Sequence, residues 1–130
     1  MSMESGLFAL SFSEKGPIAE GSAGPCGRFK PAVDATLIGV SFHAEGAGEA
    51  ALQVDVDSGD SRILSKTIPA GGTAARLFSR GDFGYPAGRP PLFDPTQYPH
   101  ITRDHTVLFL TNSESGTLNH MTVVFYFLAG

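Results

Sequence analysis

Histidine beside carboxylate is the raw material of metal centres and general bases. This sequence offers that pairing in two places: His100, Asp104 and His105 in YPHITRDHTV, and His43 with Glu45 in SFHAEG, while His120 stands alone in the last apolar stretch. These side chains lie on separate segments, so they form a site only if the fold brings the segments together. A second acidic group, Asp55, Asp57 and Asp60 in DVDSGDS, looks at first like a calcium loop. An EF-hand needs an oxygen ligand at its fifth position, Gly at the sixth and a late Glu. Here Gly59 takes the fifth place and no such Glu follows, so the stretch reads as the solvated end of a hairpin.

The remaining motifs point away from catalysis. Cupin-type enzymes carry a His-x-His pair with a later Glu and His, whereas only His43-Ala44-Glu45 stands here, with His120 far downstream. No G-x-S-x-G is present to build a nucleophile elbow. Arg80-Gly81-Asp82 spells the tripeptide that integrins recognise, but Gly after Arg is equally what a tight turn needs. PAGRPP, residues 86 to 91, lacks a full P-x-x-P core. The chain is therefore expected to be no enzyme and to hold no metal and no cofactor.

What must position these residues is a single domain: 130 residues support one hydrophobic core, and the domain is taken as residues 1–130. Hydrophobic residues make up 42% and charged residues 17%, which suits a globular chain. The net charge of -4, with no basic run, makes nucleic acid a poor partner. Cys26 is the one cysteine, so neither an intrachain disulfide nor a cysteine zinc site can form, and folding in a reducing cytoplasm fits. The opening MSMESGLFALSFSEKG has no positive n-region, and no apolar run approaches the roughly 20 residues of a membrane helix. No membrane partner is expected.

Period-2 alternation is the dominant local signal, and helical spacing is absent over any three turns. GLFALSF, residues 6 to 12, puts Phe8, Leu10 and Phe12 on one face. In ATLIGVSFHAE, residues 35 to 45, Ile38, Val40 and Phe42 fall opposite Leu37, Gly39, Ser41 and His43. AALQVDVD and SRILSKTI form a hairpin about Ser58-Gly59-Asp60, with Leu52, Val54 and Val56 inward and Gln53, Asp55 and Asp57 outward. TVLFLTN and TLNHMTVVFYFL supply two more strands, and TAARLFS a short strand or one helical turn. No internal repeat is visible. Six to eight short strands with almost no helix predict an all-β antiparallel β-sandwich of jelly-roll type. It carries a long N-terminal connection over residues 13 to 31 and a long Pro/Gly-rich loop over residues 80 to 99.

Phe8, Phe12, Phe42, Phe109, Phe125 and Phe127 lie on strand faces and read as core. Phe29 in the connection, and Phe83, Tyr85, Phe93 and Tyr98 in the loop, have no obvious inward face and are taken as interface candidates. The final strand, MTVVFYFL, is apolar on both sides. Met121, Val123, Phe125 and Phe127 fill one face, so Val124, Tyr126 and Leu128 on the other need cover from the loop or from a second subunit.

The stretches DATLIGVSFHAEGAGEAALQVDVDSGDSRILSKTIPAGG and HITRDHTVLFLTNSESGTLNHMTVVFYFL together resemble the small jelly-roll proteins of tailed-phage particles, above all head decoration proteins. The likeness spans residues 34 to 128 and is one of architecture. Where such proteins often carry Gly-Asp before the penultimate strand, this chain has Arg103-Asp104, and no functional residue is transferred. The resemblance implies a structural role: a symmetric homo-oligomer, a homotrimer above all, made in the host cytoplasm and bound to the major capsid protein on the virion surface. The rival expectations are a receptor- or glycan-binding module of a tail or fibre, with aromatics clustered in a groove, and a cupin-like metal enzyme, with His43, His100, His105 or His120 converging inside the barrel.

Overall fold

A computed structural model describes residues 6–57, 62–71, 76–84 and 99–129. Among these described residues nine strands and one 3-10 turn follow in order: β1 (Leu7–Ile18), β2 (Ala23–Phe29), β3 (Ala35–Gly46), β4 (Glu49–Val56), β5 (Arg62–Pro69), β6 (Arg76–Phe78), the turn Arg80–Asp82, β7 (His100–Ile101), β8 (Val107–Ser115) and β9 (Leu118–Ala129). They form two antiparallel sheets. One has the order β1-β9-β3-β6, with β7 also pairing β3, and the other has the order β2-β8-β4-β5. The protein is an all-β sandwich.

Alternation along each strand decides which side chains meet between the sheets. From β9, Met121, Val123, Phe125 and Phe127 are fully enclosed, and from the facing sheet so are Ala50, Leu52, Val54 and Val56 of β4. Phenylalanines fill the space near one end. Phe109 and Phe125 have ring centroids 5.3 Å apart, Phe12 and Phe109 4.6 Å, and Phe29 and Phe125 5.3 Å. Edge-on and tilted rings at these spacings suit the aromatic quadrupole as well as the apolar volume.

The predicted connection over residues 13 to 31 is instead mostly strand. β1 runs on to Ile18 and β2 occupies Ala23–Phe29. Each is an edge strand, β1 pairing β9 and β2 pairing β8, and an edge tolerates Pro17 and Pro25 because a missing N–H costs no ladder bond on the open side. At Gly24 the backbone presses so close to β8 and β9 that a Cβ would lie 2.7 Å from Met121 Cε and 2.8 Å from Thr111 Oγ1. The buried Thr111 hydroxyl donates to the Pro25 carbonyl at 2.8 Å, tying the edge to the sheet.

Two further expectations are corrected by bulges. The β3–β9 register slips between Leu37 and Gly39, so Leu37 joins Val40, Phe42 and Ala44 in the core while Ile38 is only half-buried. In the β4–β5 hairpin the slip between Val54 and Asp55 places Arg62 opposite Asp55. Arg62 Nε donates to Asp55 Oδ1 at 3.3 Å, so Asp55 is buried rather than solvated. The hairpin itself pairs as expected. TAARLFS contributes β6, whose Leu77 and Phe78 lie opposite Ser41 and Val40.

Candidate functional site

The outward side of the β1-β9-β3-β6 sheet concentrates the unusual surface of the described residues. β9 lies at its centre, and the two strands beside it run in the same direction. Their outward residues form matched levels. Ala9 and Gly39 flank Tyr126, Ser11 and Ser41 flank Val124, Ser13 and His43 flank Thr122, and Lys15 and Glu45 flank His120.

One end of this face is apolar. Leu7 is 60% exposed, Leu77 64%, Leu128 43% and Tyr126 36%, with Ala9 and Ile38 between them lining a shallow groove. Gly39 sets the groove floor, since a Cβ there would come 3.2 Å from Leu77 Cδ1. Large apolar side chains scattered singly need no explanation, but here four gather on one sheet face as an apolar patch.

The other end is polar. His43 Nε2 lies 3.1 Å from Glu45 Oε2, and His120 Nδ1 lies 3.7 Å from the same oxygen. Thr122 Oγ1 sits 3.3 Å from His120 Nε2. Beside this cluster an open hollow is bordered by His43, Glu45, Ala47, Thr117 and Asn119. His43 and His120 thus do converge, as a histidine site would require, but on the outside of the sheet and not inside the sandwich. The other two histidines lie elsewhere. His100 Nδ1 is 3.3 Å from Thr36 Oγ1, and His105 Nδ1 accepts from the Thr102 amide at 3.0 Å. His43, Glu45 and His120 gather around one carboxylate oxygen, but among the described residues no group of three or more such side chains is arranged to hold a metal ion.

The interface candidates divide. Val124 is half-buried on the outward side of β9, next to the exposed Tyr126 and Leu128. Phe29 does have an inward face, packing 5.6 Å from the Phe12 ring and 5.3 Å from that of Phe125. Phe83 is 5% exposed and belongs to the core. It turns inward because Gly84 N donates to the Ile63 carbonyl at 2.6 Å, drawing the chain back onto β5. Tyr85, Phe93 and Tyr98 lie outside the described residues. The Arg80–Asp82 tripeptide is a turn, with the Ser79 amide donating to Asp82 Oδ2 at 3.0 Å and Lys66 Nζ 3.5 Å from Asp82 Oδ1. Leu7 and Leu77 were not singled out from the sequence, and Ile38 was read as sharing a strand face with Val40 and Phe42. The one signal for Leu7 was its odd parity with Phe8, Leu10 and Phe12.

No family model matches the chain, and no curated protein matches it. Among solved structures, a chain from the structure of infectious bursal disease virus strain Gx overlaps 95% of this chain and 32% of its own length, at 9% identity and a TM-score of 0.31. A chain from the Gt strain overlaps 97% and 42%, at 8% identity and a TM-score of 0.23. The chain spans less than half the length of either. Scores this low carry no argument, and the fold stands on its own strand pairing.

Proposed function

We propose that the protein is a structural component of a virus particle, a jelly-roll subunit that associates with copies of itself and seats on the outer surface of a capsid as a decoration protein. The observation that carries this reading is the apolar end of the outward β9 face, where Leu7, Leu77, Tyr126 and Leu128 are exposed on one side of one sheet. A second support is the strand order. Successive strands β1, β2, β3 and β4 alternate between the sheets, and late strands β8 and β9 insert between early ones. That wrapping is how a jelly roll interleaves its two Greek keys, an architecture used by capsid and lectin domains. The step from architecture to capsid is one of analogy.

The test combines light scattering of the purified chain with electron microscopy of intact particles carrying bound protein. A concentration-dependent homo-oligomer and regular added density on the shell are the expected results. A strict monomer holding a stoichiometric transition metal would instead favour a metal enzyme. The open hollow by His43, Glu45 and Asn119 gives the glycan-binding reading one specific foothold, and a glycan array with the Asn119→Ala variant as control examines it.

A further inference from the structure

β1 and β3 present matching registers to β9. Residues 9 to 16 read ALSFSEKG and residues 39 to 46 read GVSFHAEG, and each pairs with β9 from Tyr126 to His120. Ser11 and Ser41 share one level and Phe12 and Phe42 the next, so a likeness not evident along the chain becomes evident across the sheet. The outward charges differ. At the level of His120, β1 contributes Lys15 and β3 contributes Glu45. Lys15 is exposed and makes no ion pair with any described residue, while the Glu45 side chain is 55% exposed.

A two-fold axis along β9, lying above the outward face, exchanges the β1 side of one copy with the β3 side of the other and preserves the level along the strand. Under that operation Ala9 meets Gly39, Ser11 meets Ser41, Lys15 meets Glu45, and Tyr126 meets its own counterpart. Small residues oppose small, hydroxyls oppose hydroxyls, and each cation opposes an anion. We infer that the outward β9 face is an isologous dimer interface with a second copy of this chain, closed by two Lys15–Glu45 ion pairs across the two-fold. The inference rests on the self-association reading above and adds to it the partner, the symmetry and the register.

Facing sheets lie ~10 Å apart, a gap that a lysine and a glutamate span together. At the centre of the patch the two Tyr126 rings stack offset, with Leu7, Leu77 and Leu128 around them excluding water. An isologous contact needs one self-complementary patch, which this face supplies.

The experiment uses charge reversal, measured by sedimentation velocity at low salt and pH 8. Lys15→Glu and Glu45→Lys each place like charges at both cross-subunit contacts, and each is expected to weaken dimerisation about tenfold or more. Because both residues are exposed, each variant keeps the far-UV spectrum of the wild type. Mixing K15E with E45K chains restores complementarity at both contacts, so the mixture forms heterodimers at wild-type affinity although each variant alone does not. A wild-type chain that is monomeric at every concentration overturns this inference and the self-association reading together. An oligomer that Tyr126→Asp disrupts, but that neither charge reversal alters, overturns the two-fold register alone and leaves self-association through this face standing. A trimer does the same.

Discussion

Neighbouring residues of β9 have opposite duties, and substitutions there should separate stability from association. Phe125 is fully enclosed and lies within 5.3 Å of the Phe29 and Phe109 rings, so Phe125→Ala leaves a cavity expected to cost about 3–5 kcal/mol. Tyr126 next to it is 36% exposed on the other side. Tyr126→Asp is expected to change monomer stability by no more than about 1 kcal/mol, as surface substitutions do, while abolishing the oligomer. Urea unfolding at low protein concentration and light scattering at high concentration read the two effects separately, which matters because association itself adds apparent stability. A third residue tests the tie between the edge and the core. Thr111→Val removes the donor to the Pro25 carbonyl and leaves that acceptor buried without its partner, at a cost of about 1–3 kcal/mol, whereas Thr111→Ser keeps the bond and most of the stability.

At the scale of elements, the turns between β3 and β4 and between β8 and β9 interlock. Gly48 has φ +91° and a Cβ there would run into the Ser115 carbonyl oxygen; Gly116 has φ +74° and a Cβ there would run into the Ala47 carbonyl oxygen. Alanine at either site faces both a left-handed backbone and a clash with main chain that cannot swing aside. Each is expected to destabilise by roughly 2 kcal/mol or more, and thermal unfolding of the two single variants checks it. β4, β5, β8 and β9 were legible from sequence for a physical reason: each has a face that must be apolar. β1 beyond Phe12 and all of β2 were hidden, because an edge strand can carry the Pro and Gly that signal a loop elsewhere. Bulges were hidden too. Nothing in ATLIGVSF announces that Ile38 is the extra residue, so a strict period of two assigned Leu37 to the wrong side. The outward β9 residues Val124, Tyr126 and Leu128 were readable because a strand apolar on both faces must have both covered. Leu7 and Leu77, which complete the patch, begin one strand and sit within a three-residue one, where alternation has no length to speak.

The whole molecule is stitched by contacts between distant parts of the chain. β1 pairs with β9, bringing Leu7 opposite Leu128, and β9 is held between β1 and β3. Pairing of this range makes folding slow, in the millisecond-to-second regime typical of β-sandwiches, and stopped-flow refolding is expected to fall there. A chain ending before Leu118 would lose the strand that joins β1 to the rest of its sheet and should fail to fold, giving amide proton signals confined to the random-coil range. The margins of the sheets have a wider consequence. β1 contains Pro17, β2 contains Pro25, β5 ends in Pro69 and β6 is three residues long. Each border of the sandwich is therefore blunted against recruiting a foreign strand. Copies of this protein at high local concentration are thereby steered away from fibres built by strand-to-strand recruitment at these borders.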